Sequence, residues 1–229
     1  MNSPDQCATL TAALSWRDDV IPVSTRFDDP YFSLGGGLDE TRHVFLGGNN
    51  LPARFQPGFH VAELGFGTGL NMLATLIAWR ASGLAGVLRY TSFEAFPMAA
   101  DDMARALSAF PETFAVAEPV LDQWSNGETL IRLPDLEAAV VIGDAGVTLA
   151  NWSGYADAWY LDGFSPAKNP ELWTDDLMQS VARHTKPGGT FATYTAAGHV
   201  RRSLADAGFA VERCAGFGRK RHMSVGVLM

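Results

Sequence analysis

The sequence predicts an α/β fold in which a mainly parallel sheet is covered by helices on both faces. From residue 58 onward, short apolar segments alternate with longer helical segments, which is typical of successive β–α units. The first apolar segment leads at once into a glycine-rich loop, as expected where a strand gives way to a helix. Hydrophobic residues make up 47% of the 229 residues, so the chain can bury a sizeable core.

The chain divides into two predicted parts. Residues 1–57 are rich in Asp, Gly and Pro and lack sustained periodicity, which predicts an N-terminal extension with short strands. Residues 58–229 form the predicted main domain. Its predicted strands are apolar runs at Phe59–Glu63, Val87–Glu94, Ala138–Ile142, Ala158–Leu161, Thr190–Thr195, Phe209–Cys214 and Met223–Leu228. Its predicted helices lie between them, at Leu70–Ala81, Met98–Phe110, Glu171–His184 and His199–Ala207. We expect the last two strands to pair antiparallel.

The charge balance argues against a basic protein that simply coats nucleic acid. The chain has 17 Lys and Arg against 25 Asp and Glu, a net charge of −8. The charge is uneven, because residues 1–182 hold 9 basic and 23 acidic side chains whereas residues 183–229 hold 8 and 2. The C-terminal part therefore predicts a local basic surface for an anionic substrate.

Several other classes of protein are disfavoured. Cys7 and Cys214 are far apart and form neither a disulfide framework nor a CxxC metal site, and the five histidines have no HExxH spacing. We therefore expect no metal. No apolar stretch predicts a membrane span, and no basic residue precedes Arg17 as a signal peptide would require. The expected compartment is the cytoplasm.

The glycine loop runs from Glu63 to Asn71 and carries its glycines as G-x-G-x-G at Gly65, Gly67 and Gly69. A dinucleotide fingerprint needs G-x-G-x-x-G, but residue 70 is Leu. The observed spacing, with an acid just before it, resembles the first motif of S-adenosylmethionine-dependent methyltransferases. A carboxylate there can receive the ammonium group of that cofactor. A glycine-rich turn without a ligand remains the alternative.

Two further acids lie at predicted strand ends. Glu94 ends the second strand, where an acid that accepts from two ribose hydroxyls is expected. Asp144 follows the third strand and can accept from an adenine amino group. Either residue alone is more typical of a solvated strand end. Together, beside the glycine loop, they predict a cofactor set.

Asp162 ends the fourth predicted strand and is followed by Gly163, an aromatic residue and two prolines. A short polar residue followed by an aromatic and a proline is similar to the motif of amino-group methyltransferases. An alkyl amine has a pKa near that of lysine, about 10.4, so its nitrogen must lose a proton before it can attack a methyl group. An acceptor at hydrogen-bond distance orients the lone pair and takes the proton. An Asp-Gly turn that only caps the strand remains the alternative.

The segment Gly216–Arg221 places three cations beside two glycines. Arginine suits phosphate because its planar guanidinium presents several donors. A solvated loop remains the alternative, since a run of charges is weak evidence for nucleic-acid binding.

Stretches that cover nearly the whole chain resemble one family, the methyltransferase domain of the bacterial bifunctional tRNA 5-methylaminomethyl-2-thiouridine biosynthesis enzyme and its stand-alone relatives. The long, specific stretches are Asp162–Trp173 and Gly216–Arg221. The shorter ones are Phe27–Asp29, Tyr31–Ser33, Glu40–Arg42, Val44–Asn49, Glu63–Asn71, Ser92–Glu94, Pro187–Thr190 and Val200–Arg202. Pro30, the Gly35–Gly37 run and His222 depart from the family's pattern.

The resemblance implies a Rossmann-like class I methyltransferase that uses S-adenosyl-L-methionine to methylate the aminomethyl group on the wobble uridine of tRNA. Asp162 is then the residue near the reacting amine. The implied cofactor set is Glu63, Gly65, Gly67, Gly69, Glu94 and Asp144. The implied substrate set is Phe164, Lys168, Arg219, Lys220 and Arg221. No second glycine fingerprint follows, so any FAD-dependent oxidase is expected on a separate chain unless this one is a fragment.

Other functions stay open at this point. A methyltransferase of another small amine would use the same cofactor set. An NAD-dependent oxidoreductase is disfavoured by Leu70 in place of a third glycine. An adaptor that has kept the fold is disfavoured by the retention of Asp162 and all three loop glycines.

Overall fold

A computed structural model describes residues 11–33 and 36–229. The strands are β1 Leu14–Arg17, β2 Ile21–Ser24, β3 Asp29–Pro30, β4 His60–Leu64, β5 Leu88–Glu94, β6 Leu130–Leu133, β7 Leu136–Ile142, β8 Ala156–Leu161, β9 Thr185–Thr193, β10 Phe209–Ala215 and β11 His222–Leu228. The α-helices are α1 Gly37–Thr41, α2 Leu70–Ala81, α3 Ala100–Leu107, α4 Pro111–Ser125, α5 Ala145–Thr148, α6 Asp175–Arg183 and α7 Gly198–Asp206. A π-helical segment spans Arg42–Gly47, and 3-10 turns span Leu149–Asn151 and Pro170–Trp173.

Eight strands form the central sheet, in the order β10-β11-β9-β8-β4-β5-β7-β6. The five inner strands from β9 to β7 are parallel. Strand β11 is antiparallel to both β9 and β10, which confirms the predicted C-terminal pair. The predicted α/β class with a mainly parallel sheet is therefore confirmed.

Both faces of the sheet are buried, as parallel sheets require. Strand β8 shows why, because its residues alternate between two apolar clusters. Ala158 and Tyr160 pack with side chains of α2 and α4, whereas Trp159 and Leu161 pack with side chains of α6 and α7. Helices thus cover each face, and the loops that follow β4, β5, β7 and β8 emerge at one edge of the sheet.

The structure corrects several predicted elements. The helix expected over Met98–Phe110 ends at Leu107, and a second helix begins at Pro111, since proline fits the first turn of a helix. This helix, α4, and strand β6 were not predicted. The helix expected from Glu171 begins at Asp175, because the Thr174 hydroxyl accepts a hydrogen bond from the Leu177 N–H and caps it.

Short strands do occur in the N-terminal segment, where β1, β2 and β3 form a small antiparallel sheet. The division of the chain at residue 57 stays a prediction. Cys7 and Gly35 lie outside the described residues. Within the described ranges, no helix is long and apolar enough to cross a membrane.

Candidate functional site

A cavity of about 1240 Å³ opens at the carboxyl ends of the parallel strands. The loops after β4, β5, β7 and β8 line it, together with the β2–β3 region, α1 and the β10–β11 turn. The predicted site residues that line it are Gly65, Gly67, Glu94, Asp144, Asp162, Phe164, Arg219 and Lys220. Those that do not are Glu63, Gly69, Lys168 and Arg221.

The glycine loop requires glycine at three positions, and two of them, Gly65 and Gly67, face the cavity. Gly65, Gly67 and Gly69 have φ angles of 84°, 54° and 76°, in the left-handed region. A Cβ on Gly65 would lie 3.4 Å from Gly163 Cα, and one on Gly67 would lie 3.1 Å from Tyr31 Cδ1. The loop therefore passes close to the strand-end loop of β8 and leaves its backbone open to a ligand.

Glu63 lies beneath the loop and not in the cavity wall. Its carboxyl is completely buried and accepts hydrogen bonds from Asn71 Nδ2 at 2.9 Å and from Ser92 Oγ at 2.8 Å. Burial raises the pKa of Glu63 well above its ordinary value. The geometry does not support the expected direct contact with a ligand ammonium, because the carboxyl is enclosed and lies outside the cavity lining.

Glu94 ends β5 and Asp144 follows β7, so both acids lie at strand ends as predicted, and the two strands pair in the sheet. Glu94 accepts hydrogen bonds from the backbone N–H groups of Gly67 at 3.0 Å and Phe96 at 2.7 Å, so it also fixes the glycine loop. Burial raises the pKa of Glu94, although those N–H donors oppose the shift. Asp144 is exposed and caps α5 by accepting from the Val147 N–H at 3.2 Å.

Asp162 lies at the centre of the polar contacts in the cavity. Its Oδ1 accepts from the Gly163 N–H at 2.8 Å, and its Oδ2 accepts from Asn71 Nδ2 at 2.8 Å. Burial raises the pKa of Asp162 to about 6, while the two donors and the nearby Lys220 ammonium oppose the shift. A carboxylate with this pKa is ionised at neutral pH yet more basic than an exposed aspartate. It can accept a hydrogen bond or a proton.

Glu40, Asn71 and Tyr194, which were not among the predicted site residues, complete this region. Lys220 Nζ lies 2.8 Å from Glu40 Oε1 and 4.1 Å from the centre of the Tyr194 ring. The Tyr194 hydroxyl donates to the Gly163 carbonyl oxygen at 2.9 Å. Asn71 joins Glu63 to Asp162. The only sequence signals for them were Asn71 in the glycine loop and Glu40 in one of the matched stretches.

The predicted substrate residues separate into two groups. Phe164 lines the cavity and stacks on Phe27 with ring centres 4.7 Å apart. The prediction for Lys168 was wrong, because this residue does not line the cavity. Its ammonium pairs instead with Asp28 at 3.0 Å and Asp29 at 4.0 Å. Both aspartates belong to the N-terminal segment, so Lys168 links that segment to the loop after β8.

The basic run is also divided. Arg219 and Lys220 line the cavity, whereas Arg221 is exposed outside it. Lys220 is paired with Glu40. Arg219 also lines the cavity, and it belongs to no ion pair among the described residues. Within the same residues, no group of three or more His, Cys, Asp and Glu side chains could hold a metal ion.

The cavity fits a ligand like S-adenosyl-L-methionine in its chemistry. It combines open glycine backbone, three carboxylates at strand ends and aromatic side chains within one space. A Cβ on Gly65 would contact Gly163, and one on Gly67 would crowd Tyr31, and both of these neighbours also line the cavity.

Comparison with known proteins gives consistent matches. Residues 111–229 match the model of a family described as S-adenosyl-L-methionine-dependent methyltransferase. The chain is 46% identical, over 221 residues, to the tRNA 5-methylaminomethyl-2-thiouridine biosynthesis bifunctional protein MnmC of Caulobacter sp. (strain K31), covering 91% of this chain and 37% of that protein. It is 43% identical, over 223 residues, to the protein of the same name from Leptospira borgpetersenii serovar Hardjo-bovis (strain JB197), covering 93% of this chain and 34% of that protein.

Among solved structures, the chain is similar to the crystal structure of MNMC2 from Aquifex aeolicus, with a TM-score of 0.78 and 25% identity. That match covers 97% of this chain and 72% of the other. The chain spans little more than a third of the length of the curated relatives it matches.

Proposed function

We propose a tRNA substrate for this chain, which belongs to the S-adenosyl-L-methionine-dependent methyltransferase family. The proposed reaction is N-methylation of the 5-aminomethyl group of the wobble uridine, giving 5-methylaminomethyl-(2-thio)uridine. Family membership also decides between the cofactors that the glycine loop left open, in favour of S-adenosyl-L-methionine.

The position of Asp162 carries the proposal. Its carboxylate lines the cavity, and each of its oxygens accepts one hydrogen bond from the protein, which leaves further lone pairs for a substrate. S-adenosyl-L-methionine, when bound, supplies a methyl group on a positively charged sulfur. Asp162 then accepts a hydrogen bond from the substrate amine, orients its lone pair and favours loss of its proton. Its pKa of about 6 suits a group that must be ionised at neutral pH.

The cofactor would be held by residues from the neighbouring loops. Gly65 and Gly67 offer backbone that a ligand can approach, and the remaining lone pairs of Glu94 suit two ribose hydroxyls. Asp144 is exposed at the cavity and suits an adenine amino group. Gly69 supports this arrangement indirectly, because it begins α2 with left-handed geometry.

The tRNA part of the proposal rests on charge and on similarity. Arg219 places a guanidinium at the cavity, and residues 183–229 hold 8 basic and 2 acidic side chains within an otherwise acidic chain. The relatives that match at 43% and 46% identity are named for biosynthesis of a modified tRNA uridine. A cytoplasmic location fits this substrate. An FAD-dependent oxidase on a separate chain stays a prediction.

A rate comparison tests the substrate class. Transfer of labelled methyl groups would be measured on tRNA that carries 5-aminomethyluridine, on the free nucleoside and on simple alkylamines. The proposal predicts a much higher kcat/KM for the tRNA, because phosphate contacts contribute to binding only there. Equal values for a simple alkylamine would show a small-amine methyltransferase instead. Binding of the cofactor without transfer to any of them would indicate an adaptor.

A further inference from the structure

The Asn71 amide is fully engaged between two carboxyl groups. Asn71 is the second residue of α2 and is 7% exposed. Its Nδ2 donates to Glu63 Oε1 at 2.9 Å and to Asp162 Oδ2 at 2.8 Å. Its Oδ1 accepts from Thr41 Oγ1 at 2.8 Å. Both amide hydrogens and the carbonyl oxygen are thus paired.

This network fixes the amide in one orientation. If the amide flipped, its oxygen would face the oxygens of Glu63 and Asp162, and both hydrogen bonds would be lost. Thr41 comes from α1 and donates to the carbonyl oxygen, which favours the same orientation. Glu63 is a firm anchor because it is completely buried and also accepts from Ser92 at 2.8 Å.

We infer that Asn71 is a positioning residue, which transmits the fixed place of buried Glu63 to Asp162 and so holds the Asp162 carboxylate toward the substrate amine. This inference rests on the proposed function of Asp162. Without Asn71, the one hydrogen bond that a described residue still donates to the Asp162 carboxylate comes from the N–H of the next residue, Gly163, and the carboxylate can rotate within the cavity. Misplacement of a reacting group by about 1 Å can lower a rate about 100-fold.

The hydrogen bond from Asn71 to Asp162 affects the pKa of Asp162, which a purely structural role of Asn71 would leave unchanged. A donor that bonds the ionised carboxylate lowers its pKa, so removal of Asn71 should raise the pKa of Asp162 above its present value of about 6. The other titratable groups near this carboxyl are Glu63 and Tyr90 from the core, Glu40 from α1, Lys220 from the β10–β11 turn and Tyr194 after β9. The substitution removes none of these groups, but Glu63 loses one of its two donors, and the Glu63→Gln pair below controls for this.

The test uses the full chain with Asn71→Ala and, as a matched control, Ser92→Ala. The control removes the other donor to Glu63 but leaves Asp162 untouched. The Asp162 carboxyl would be titrated by 13C NMR, with its signal assigned by its absence in Asp162→Asn. We expect the midpoint to rise by about one pH unit or more in Asn71→Ala, because a hydrogen bond to a charged group is lost. We expect no rise in Ser92→Ala.

The methyl-transfer rate would be measured on the same proteins. Asn71→Ala should lower kcat by about 10- to 100-fold, while the affinity for S-adenosyl-L-methionine stays within about threefold. An unchanged Asp162 midpoint in folded Asn71→Ala would overturn the inference, and so would an equal rise in Ser92→Ala. Full activity of Asp162→Asn is a separate outcome. It would overturn the proposed role of Asp162 itself, whatever the titration shows.

Asn71→Ala can fail to fold, since it leaves the buried Oε1 of Glu63 without its donor, and Ser92 then donates to Oε2 alone. The double variant Glu63→Gln with Asn71→Ala removes that carboxyl as well, and Glu63→Gln alone is its reference. The inference predicts that the Asp162 midpoint is higher in the double variant than in Glu63→Gln by about one pH unit or more. Equal midpoints in this pair would also overturn it.

Discussion

Replacement of Gly67 by alanine should separate the cofactor role of the glycine loop from its role in folding. At φ 54°, an L-residue costs about 1–2 kcal/mol relative to the ordinary region. For a chain of 229 residues, this lowers Tm by about 2–8 °C. The added Cβ would also lie 3.1 Å from Tyr31 Cδ1, so the Tyr31 ring must shift by a few tenths of an ångström. Since both residues line the cavity, we expect the affinity for S-adenosyl-L-methionine to fall at least about tenfold.

Gly188→Ala is the matched control. Gly188 has a similar φ of 72° and lies in β9 away from the cavity, and no heavy atom of residues 11–33 and 36–229 is within 4 Å of its added Cβ. We therefore expect a similar fall in Tm with unchanged cofactor affinity. Thermal unfolding and isothermal titration of both variants measure the two effects. The account of the loop is refuted if the two variants bind the cofactor equally well.

Three further predictions concern catalysis, tRNA and acid stability. Asp162→Ala should lower methyl transfer by about 100- to 10,000-fold at saturating substrates with cofactor affinity little changed, and normal turnover would make Asp162 a turn residue. Arg219→Ala should weaken tRNA binding and reduce the slope of log affinity against log salt by about one. Arg89→Ala, at the opposite end of the sheet, should leave the slope unchanged. A slope in Arg219→Ala equal to that of the wild type would remove Arg219 from the tRNA surface. Burial lowers the pKa of His60 from 6.5 to about 4. As the pH drops from 6.5 toward 4, His60 therefore takes up a proton in the unfolded chain before it does so in the folded one. The free energy of unfolding should fall by about 3 kcal/mol over this range. Urea unfolding should show this loss in the wild type but not in His60→Gln, and an equal loss in both would contradict it.

The parts of the site that the sequence predicted are those set by local geometry. Strand ends and the glycine loop place Gly67, Glu94 and Asp162 at one edge of the sheet, because parallel strands carry their C-terminal loops to the same side. The helix α2 was predicted with its observed bounds, Leu70–Ala81, because its glycine start and apolar spacing are encoded within a few residues.

The parts that the sequence did not predict depend on partners far along the chain. Lys168 is withdrawn from the cavity by Asp28, which lies 140 residues away. The Glu40 carboxyl meets Lys220 across 180 residues. Such pairs leave no pattern in the local sequence. A match to a family motif also does not show which way a charged side chain in that motif points.

The most direct test of the central claim is nucleoside mass analysis of a defined tRNA. The full chain would be incubated with S-adenosyl-L-methionine and tRNA whose wobble uridine carries an unmethylated 5-aminomethyl group. The account predicts that this nucleoside gains the mass of one methyl group in place of a hydrogen, and that Asp162→Ala yields almost none of the product. An unchanged wobble nucleoside in the presence of folded, cofactor-bound protein would contradict the account, and so would a methyl group found on a different nucleoside.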